Sequence, residues 1–119
     1  MTKTAQHYQD NDPKAPRSPW GKVQEVTTLG RGVRWVSTAG HGGLMVSKGC
    51  AKTLLSPNAI HLAGDEWNGY ICFEEDCACI LPLLERPEWL RELFPNTTSK
   101  ALSEVAQRHY PTYSSVPIF

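Results

Sequence analysis

Apolar positions change their period along the chain. Val23 and Val26, then Val33, Trp35 and Val36, flank Leu29-Gly30-Arg31-Gly32. Short β-branched and aromatic runs on either side of a glycine-containing turn predict two antiparallel strands. Gly30 and Gly32 can supply the positive φ such a turn needs. Leu44, Met45 and Val46 continue the pattern as a third strand. Past that point the signals become helical. Ser47 is a suitable N-cap for a short helix reaching Leu54 and Leu55, weakened by Gly49. Ser56-Pro57 marks a second start, with proline at the first helical position. Residues 64–69 read as loop, and Tyr70-Ile71-Cys72-Phe73 as a strand or a buried approach to the next helix. Cys77, Ile80, Leu81 and Leu84 recur at i, i+3, i+4 and i+7, the spacing of one buried helical face. Asp76 would be its N-cap, with Glu74 and Glu75 near its positive end. Pro82 conflicts with an unbroken helix there. A helix restarts at Pro87 and stops before Pro95. Leu102, Val105, Ala106 and His109 mark a last one, capped within residues 97–99.

These elements predict a single α+β domain over residues 18–113. Its small antiparallel sheet, from about residue 22 to 46, packs on one face against three to four helices from the C-terminal half. Residues 1–17 are polar, contain Pro13 and Pro16 and show no periodicity, so a disordered tail is expected. Residues 114–119 are expected to be an extended tail.

A length of 119 residues suits one domain with its own core. No apolar run approaches the roughly 18 residues of a membrane span. The polar N-terminus lacks the apolar centre of a signal peptide, so a cytoplasmic location is expected. Net charge is zero, which argues against broad phosphate-backbone binding. The distribution is uneven, however. Residues 1–34 hold six basic and three acidic side chains, whereas residues 65–76 hold five acids and no base. That acid-only segment is either a solvated loop and helix start or a surface for a basic partner. Trp67 and Tyr70 lie inside it, and aromatics among acids are the composition of a protein-binding hot spot. Asp65, Glu66, Trp67, Tyr70, Glu74 and Glu75 are therefore the expected contact surface.

The other unusual stretch is Ser37-Thr38-Ala39-Gly40-His41-Gly42-Gly43, which sets an imidazole on a backbone loosened by three glycines. It lacks a P-loop lysine and Gly-x-Gly-x-x-Gly spacing, so a tight turn between strands is the simpler reading. Cys77 at a helix start could be a nucleophile with His41 as its base, but three neighbouring carboxylates oppose a thiolate. Cys50, Cys72, Cys77 and Cys79 make a poor zinc pattern and are expected to be free thiols. Three consecutive carboxylates on a helix point about 100° apart. Glu74, Glu75 and Asp76 then cannot chelate one ion, and one of them with His41 supplies too few ligands. No metal or other cofactor is expected. The expected arrangement is instead a structural polar junction of His41, Gly42, Gly43, Glu74, Glu75 and Asp76. In it one acid meets His41 and ties the glycine bend to the helix start.

Ser18-Pro19-Trp20-Gly21, then Ser37-Thr38-x-x-His41-Gly42-Gly43, Glu74-Glu75-Asp76-Cys77 and a closing Tyr110-Pro111 resemble, in that order, an uncharacterised small domain family. That family occurs in bacteria, phages and mobile elements. The resemblance covers residues 18–113 and implies a shared fold without implying a reaction. By analogy with mobile-element proteins of this size, it points to a non-enzymatic accessory protein that binds another protein. A host defence complex is a plausible target, which would make the chain an anti-CRISPR-like inhibitor. The alternatives are an enzyme with its site at the His41 loop and residues 74–77, centred on His41, Glu75 and Cys77, and a DNA-binding regulator using the basic N-terminal third.

Overall fold

Period-two alternation decides the architecture, because it gives the central strands two apolar faces. The computed structural model describes residues 4–9 and 12–113. The elements run β1 (Thr4–His7), β2 (Arg17–Ser18), β3 (Gly21–Lys22), β4 (Glu25–Gly30), β5 (Val33–Ser37), β6 (Gly42–Ser47), α1 (Lys48–Leu54), α2 (Pro57–Ala63), β7 (Asp65–Trp67), β8 (Tyr70–Glu74), α3 (Ile80–Glu85), α4 (Pro87–Leu93) and α5 (Ser99–His109). Six strands form one antiparallel sheet in the order β1-β4-β5-β6-β8-β7, and β2 with β3 makes a separate two-stranded ribbon. The fold is α+β.

On one face Val33, Leu44, Val46, Ile71 and Phe73 meet the helices through Ala51, Leu55, Ala59, Leu81, Leu83, Trp89, Leu90 and Ala106. Phe73, Leu44, Leu81 and Leu83 are almost wholly enclosed. Burying each contributes about 1.5–3 kcal/mol. The intervening residues Val26, Val36, Met45 and Cys72 form a second, smaller cluster on the opposite face, with Val23, Tyr8, Trp20, Trp67 and Tyr70 around it. Among the described residues no helix packs on this second face. The segment carrying β2 and β3 packs there instead, through Trp20 and Val23.

Several expectations are corrected. The sheet runs well beyond residues 22–46, gaining β1 on one side and the β7–β8 hairpin on the other. The disordered tail expected over residues 1–17 does not hold for the described part. Residues 4–7 pair with β4, Tyr8 N–H donates to the Gln24 carbonyl at 2.7 Å, and Ala15 is buried. A four-residue strand has too little pattern of its own to be read, and the free edge of β4 organises it. Residues 1–3, 10–11 and the expected tail over 114–119 lie outside the described residues.

Residues 64–69 are not all loop, since Asp65–Trp67 form β7. β7 and β8 are joined by Asn68 and Gly69, both with positive φ (51° and 89°), the two-residue turn that matches the twist of a hairpin. The third helix starts at Ile80 with Cys79 in the cap position, not at Asp76, because residues 74–79 finish a strand and then turn. Pro82 thereby falls in the first turn, where its missing N–H has no intrahelical acceptor to lose. Ser47, Ser56 and Thr98 cap α1, α2 and α5, each accepting a backbone N–H on its side-chain oxygen. No helix among the described residues is long and apolar enough to cross a membrane.

Candidate functional site

The glycine bend is built from its backbone outward. Thr38 closes the β5–β6 turn: its N–H and hydroxyl donate to the His41 carbonyl at 2.7 and 2.6 Å, and its hydroxyl oxygen accepts the His41 N–H at 3.1 Å. Gly42 and Gly43 then enter β6, flanked by β5 and β8, with Gly43 opposite Glu74 and the Glu75 N–H donating to the Gly42 carbonyl at 2.9 Å. Glycine is required for steric reasons. A Cβ on Gly42 would lie 2.5 Å from the Val36 carbonyl oxygen, and one on Gly43 would collide with the Phe73 carbonyl oxygen. This close approach sets the hairpin tip against the end of β8.

The outcome is a convergence of three side chains. His41 Nδ1 lies 3.7 Å from Glu74 Oε2, at ion-pairing distance, with both side chains roughly half exposed. Asp76 joins them, and one potential ligand atom from each of His41, Glu74 and Asp76 lies within 4.8 Å of the others. Glu75 is not in this group; its carboxylate lies against Gly42. The 100° spacing that separated the three acids in a helical reading does not apply. Glu74 ends β8, and Asp76 lies in the turn that follows, closed by the Cys79 N–H donating to the Glu74 carbonyl at 3.0 Å.

Cys77 does not join His41. Its Sγ lies 3.9 Å from Nδ1 of His109 on α5. The grouping of His41, Glu75 and Cys77 is thus not assembled. Cys72 and Cys79 are poor nucleophiles, since burial pushes both thiols from 9.0 up to about 12, helped by the charge of Asp65 at Cys72. All four cysteines are free.

The expected contact residues lie on the β7–β8 hairpin and just after it. Cross-strand register puts Asp65 opposite Cys72 and Trp67 opposite Tyr70, so these four share the face without helices. Glu66 projects to the other side and pairs with Lys48 at 3.1 Å. Sequence reasoning missed three residues of this surface. Arg34, from β5, lies over the Tyr70 ring with its guanidinium carbon 5.1 Å from the centroid, and its Nη2 donates to the Tyr70 hydroxyl. Pro19 and Trp20 wall a cleft of about 140 Å³ that Asp65, Cys72 and Glu74 complete. The Asn68-Gly69 dipeptide was the available signal. Read as a hairpin turn, it places Asp65, Cys72 and Glu74 on a common face.

A family model described as Domain of unknown function (DUF7007) matches residues 13–116. The chain belongs to this family. The matched segment of this DUF7007 domain takes in both the glycine bend and the β7–β8 hairpin, so the candidate site lies within the family's span. No curated protein and no solved structure matches the chain.

Proposed function

We propose that this domain is a protein-binding module that receives a basic side chain of its partner in the cleft between Trp20 and the β7–β8 hairpin. One observation carries the reading: two carboxylates, Asp65 and Glu74, and an aromatic wall, Trp20, line the same small cleft. Paired carboxylates hold a guanidinium or ammonium group by charge-assisted hydrogen bonds, and an indole face adds cation–π attraction. The volume, about 140 Å³, suits a side-chain terminus, being well below the roughly 300–1,000 Å³ of a metabolite pocket. Trp67, Tyr70 and the exposed Glu75 would supply the surrounding contact area. In its narrower form the proposal makes the partner a host defence complex.

The test uses arginine- and lysine-containing peptides as probes, read by shifts of the Trp20 indole N–H resonance. Arginine peptides should shift that signal saturably, and citrulline peptides should not. Asp65→Asn with Glu74→Gln should abolish the shift. A signal that stays put, or one indifferent to those substitutions, overturns the reading. The narrower form is checked by expressing the chain in cells with an active CRISPR system, where it should relieve interference in a manner that depends on Asp65.

A further inference from the structure

We propose that His41, Glu74 and Asp76 form a binding site for one divalent first-row transition cation of the zinc type. The site shares Glu74 with the cleft, whereas its other two ligands, His41 and Asp76, do not line it. Its ligands come from two segments that the fold joins, the β5–β6 turn and the end of β8, and one atom from each already lies within 4.8 Å of the others. A cation with bonds of about 2.1 Å needs donor atoms about 3.0–3.5 Å apart in octahedral or tetrahedral coordination. Closing the difference takes small rotations of side chains that are still half exposed, on a backbone that need not move.

That backbone is fixed in advance. Gly43 pairs with Glu74, the Glu75 N–H donates to Gly42, and Thr38 holds the main chain of His41 from both sides. Side-chain ligands on a rigid hairpin and strand end lose less freedom on binding than ligands on a loose loop.

The donor set selects the ion. One imidazole nitrogen with two carboxylates is a mixed nitrogen and oxygen site. Calcium and magnesium prefer oxygen donors alone, and soft cations prefer thiolates. Zinc, manganese(II) and cobalt(II) accept the mixture. The local charge also favours a cation, because residues 65–76 carry five acids and no base. Three protein ligands leave at least one coordination position open towards solvent, available to water or to a group from a partner.

The test uses the full chain after chelator treatment, with cobalt(II) and zinc as probes. Cobalt(II) absorption should saturate at one equivalent with d–d bands and no thiolate charge-transfer band. Zinc should raise the thermal midpoint. His41→Ala and Asp76→Asn should each weaken binding at least about tenfold and remove the thermal shift, while millimolar magnesium or calcium should not compete. Asp76→Asn keeps the shape of the side chain and guards against loss of fold at His41→Ala. Three outcomes would each overturn the site: failure to saturate, a charge-transfer band that places the ion on Cys77 beside His109, or unchanged binding in both variants. Asp65→Asn should weaken the arginine-peptide response and leave the cobalt(II) spectrum in place, so failure of the cleft and failure of the cation site are told apart.

Discussion

Trp20 is laid over Gly43 so closely that a single methyl group at position 43 would come within 2.8 Å of the indole Cη2. The same methyl would strike the Phe73 carbonyl across the β6–β8 ladder. The indole belongs to the segment that packs on the face without helices, so this glycine lets three pieces of chain approach closely: the paired strands β6 and β8, and the Trp20 cover above them. Gly43→Ala should cost about 1–3 kcal/mol, the usual penalty of forcing atoms into a packed interior. Gly49 offers the contrast, for it lies in α1 and a Cβ there meets nothing within 4 Å. Gly49→Ala should be stabilising, by up to about 1 kcal/mol, through helix propensity. Urea denaturation of the two variants checks both signs.

Glu85 and Arg86 together clamp the corner between α1 and α2. The Glu85 carboxylate accepts the Ser56 N–H at 2.7 Å, the Ser56 hydroxyl at 2.5 Å and the Tyr113 hydroxyl at 2.8 Å. Arg86 Nε donates to the Leu54 carbonyl at 2.8 Å, satisfying an acceptor that the end of α1 leaves open. Removing a charged acceptor strands several donors at once, so Glu85→Ala should lose about 1.5–3 kcal/mol. Glu85→Gln can still accept from Ser56 and should lose less. If equilibrium unfolding shows the two variants equal to wild type, the clamp contributes nothing.

Arg34 and Tyr70 make a pair of a different kind, on the face without helices. A stacked guanidinium that also donates to the phenol needs a planar fork, which lysine lacks. Arg34→Lys should therefore be destabilising by about 0.5–1 kcal/mol, the range for a partly exposed cation–π contact. Tyr70→Phe, which retains the ring and removes the hydroxyl, should retain part of the contact. A double-mutant cycle over the two positions, read by urea denaturation, should give a coupling energy clearly different from zero.

Much of this framework is legible in the residues themselves, and the misses share a cause. The strands at residues 25–47 and the helix starts at Ser47, Ser56 and Pro87 follow from local chemistry: β-branched alternation, hydroxyl caps and proline at a first helical position. The bend at His41 is likewise visible, since consecutive glycines invite close packing. The errors begin where a segment is organised by something distant in sequence. β1 exists because β4 has a free edge. The region 65–74 looks like an acidic loop until Asn68-Gly69 is taken as a turn, after which period two sorts Asp65, Cys72 and Glu74 onto one side. The i, i+3, i+4 spacing from Cys77 is real for Ile80 and Leu81 but begins too early, and that shift turns Glu74 and Asp76 from diverging helical neighbours into side chains that converge on His41. Arg34 gives no sequence signal at all, because its partner lies 36 positions away.

The buried thiols make a prediction about alkaline pH. Cys72 and Cys79 are both held protonated in the folded chain up to about 12, against 9.0 for an exposed thiol, chiefly because burial penalises the thiolate. Below 9 both states carry the protons, and the contribution to stability is complete. Between 9 and about 12 the unfolded chain releases protons that the native chain keeps, so the native state binds more protons and stability falls as pH rises. The Tyr113 hydroxyl adds to the same trend from a higher starting point, raised first by burial and then by its hydrogen bond to Glu85. Urea midpoints measured from pH 8 to 11 should therefore decline, and Cys72→Ala with Cys79→Ala should flatten the decline above 9. At pH 8 a disulfide-exchange reagent should label the partly exposed Cys50 and Cys77 on the native protein, and should reach Cys72 and Cys79 only at the rate of unfolding. Prompt labelling of Cys72 would mean that the second face of the sheet opens far more readily than the packing of Trp20 on Gly43 allows, and prompt labelling of Cys79 would mean the same of the core beneath the helices.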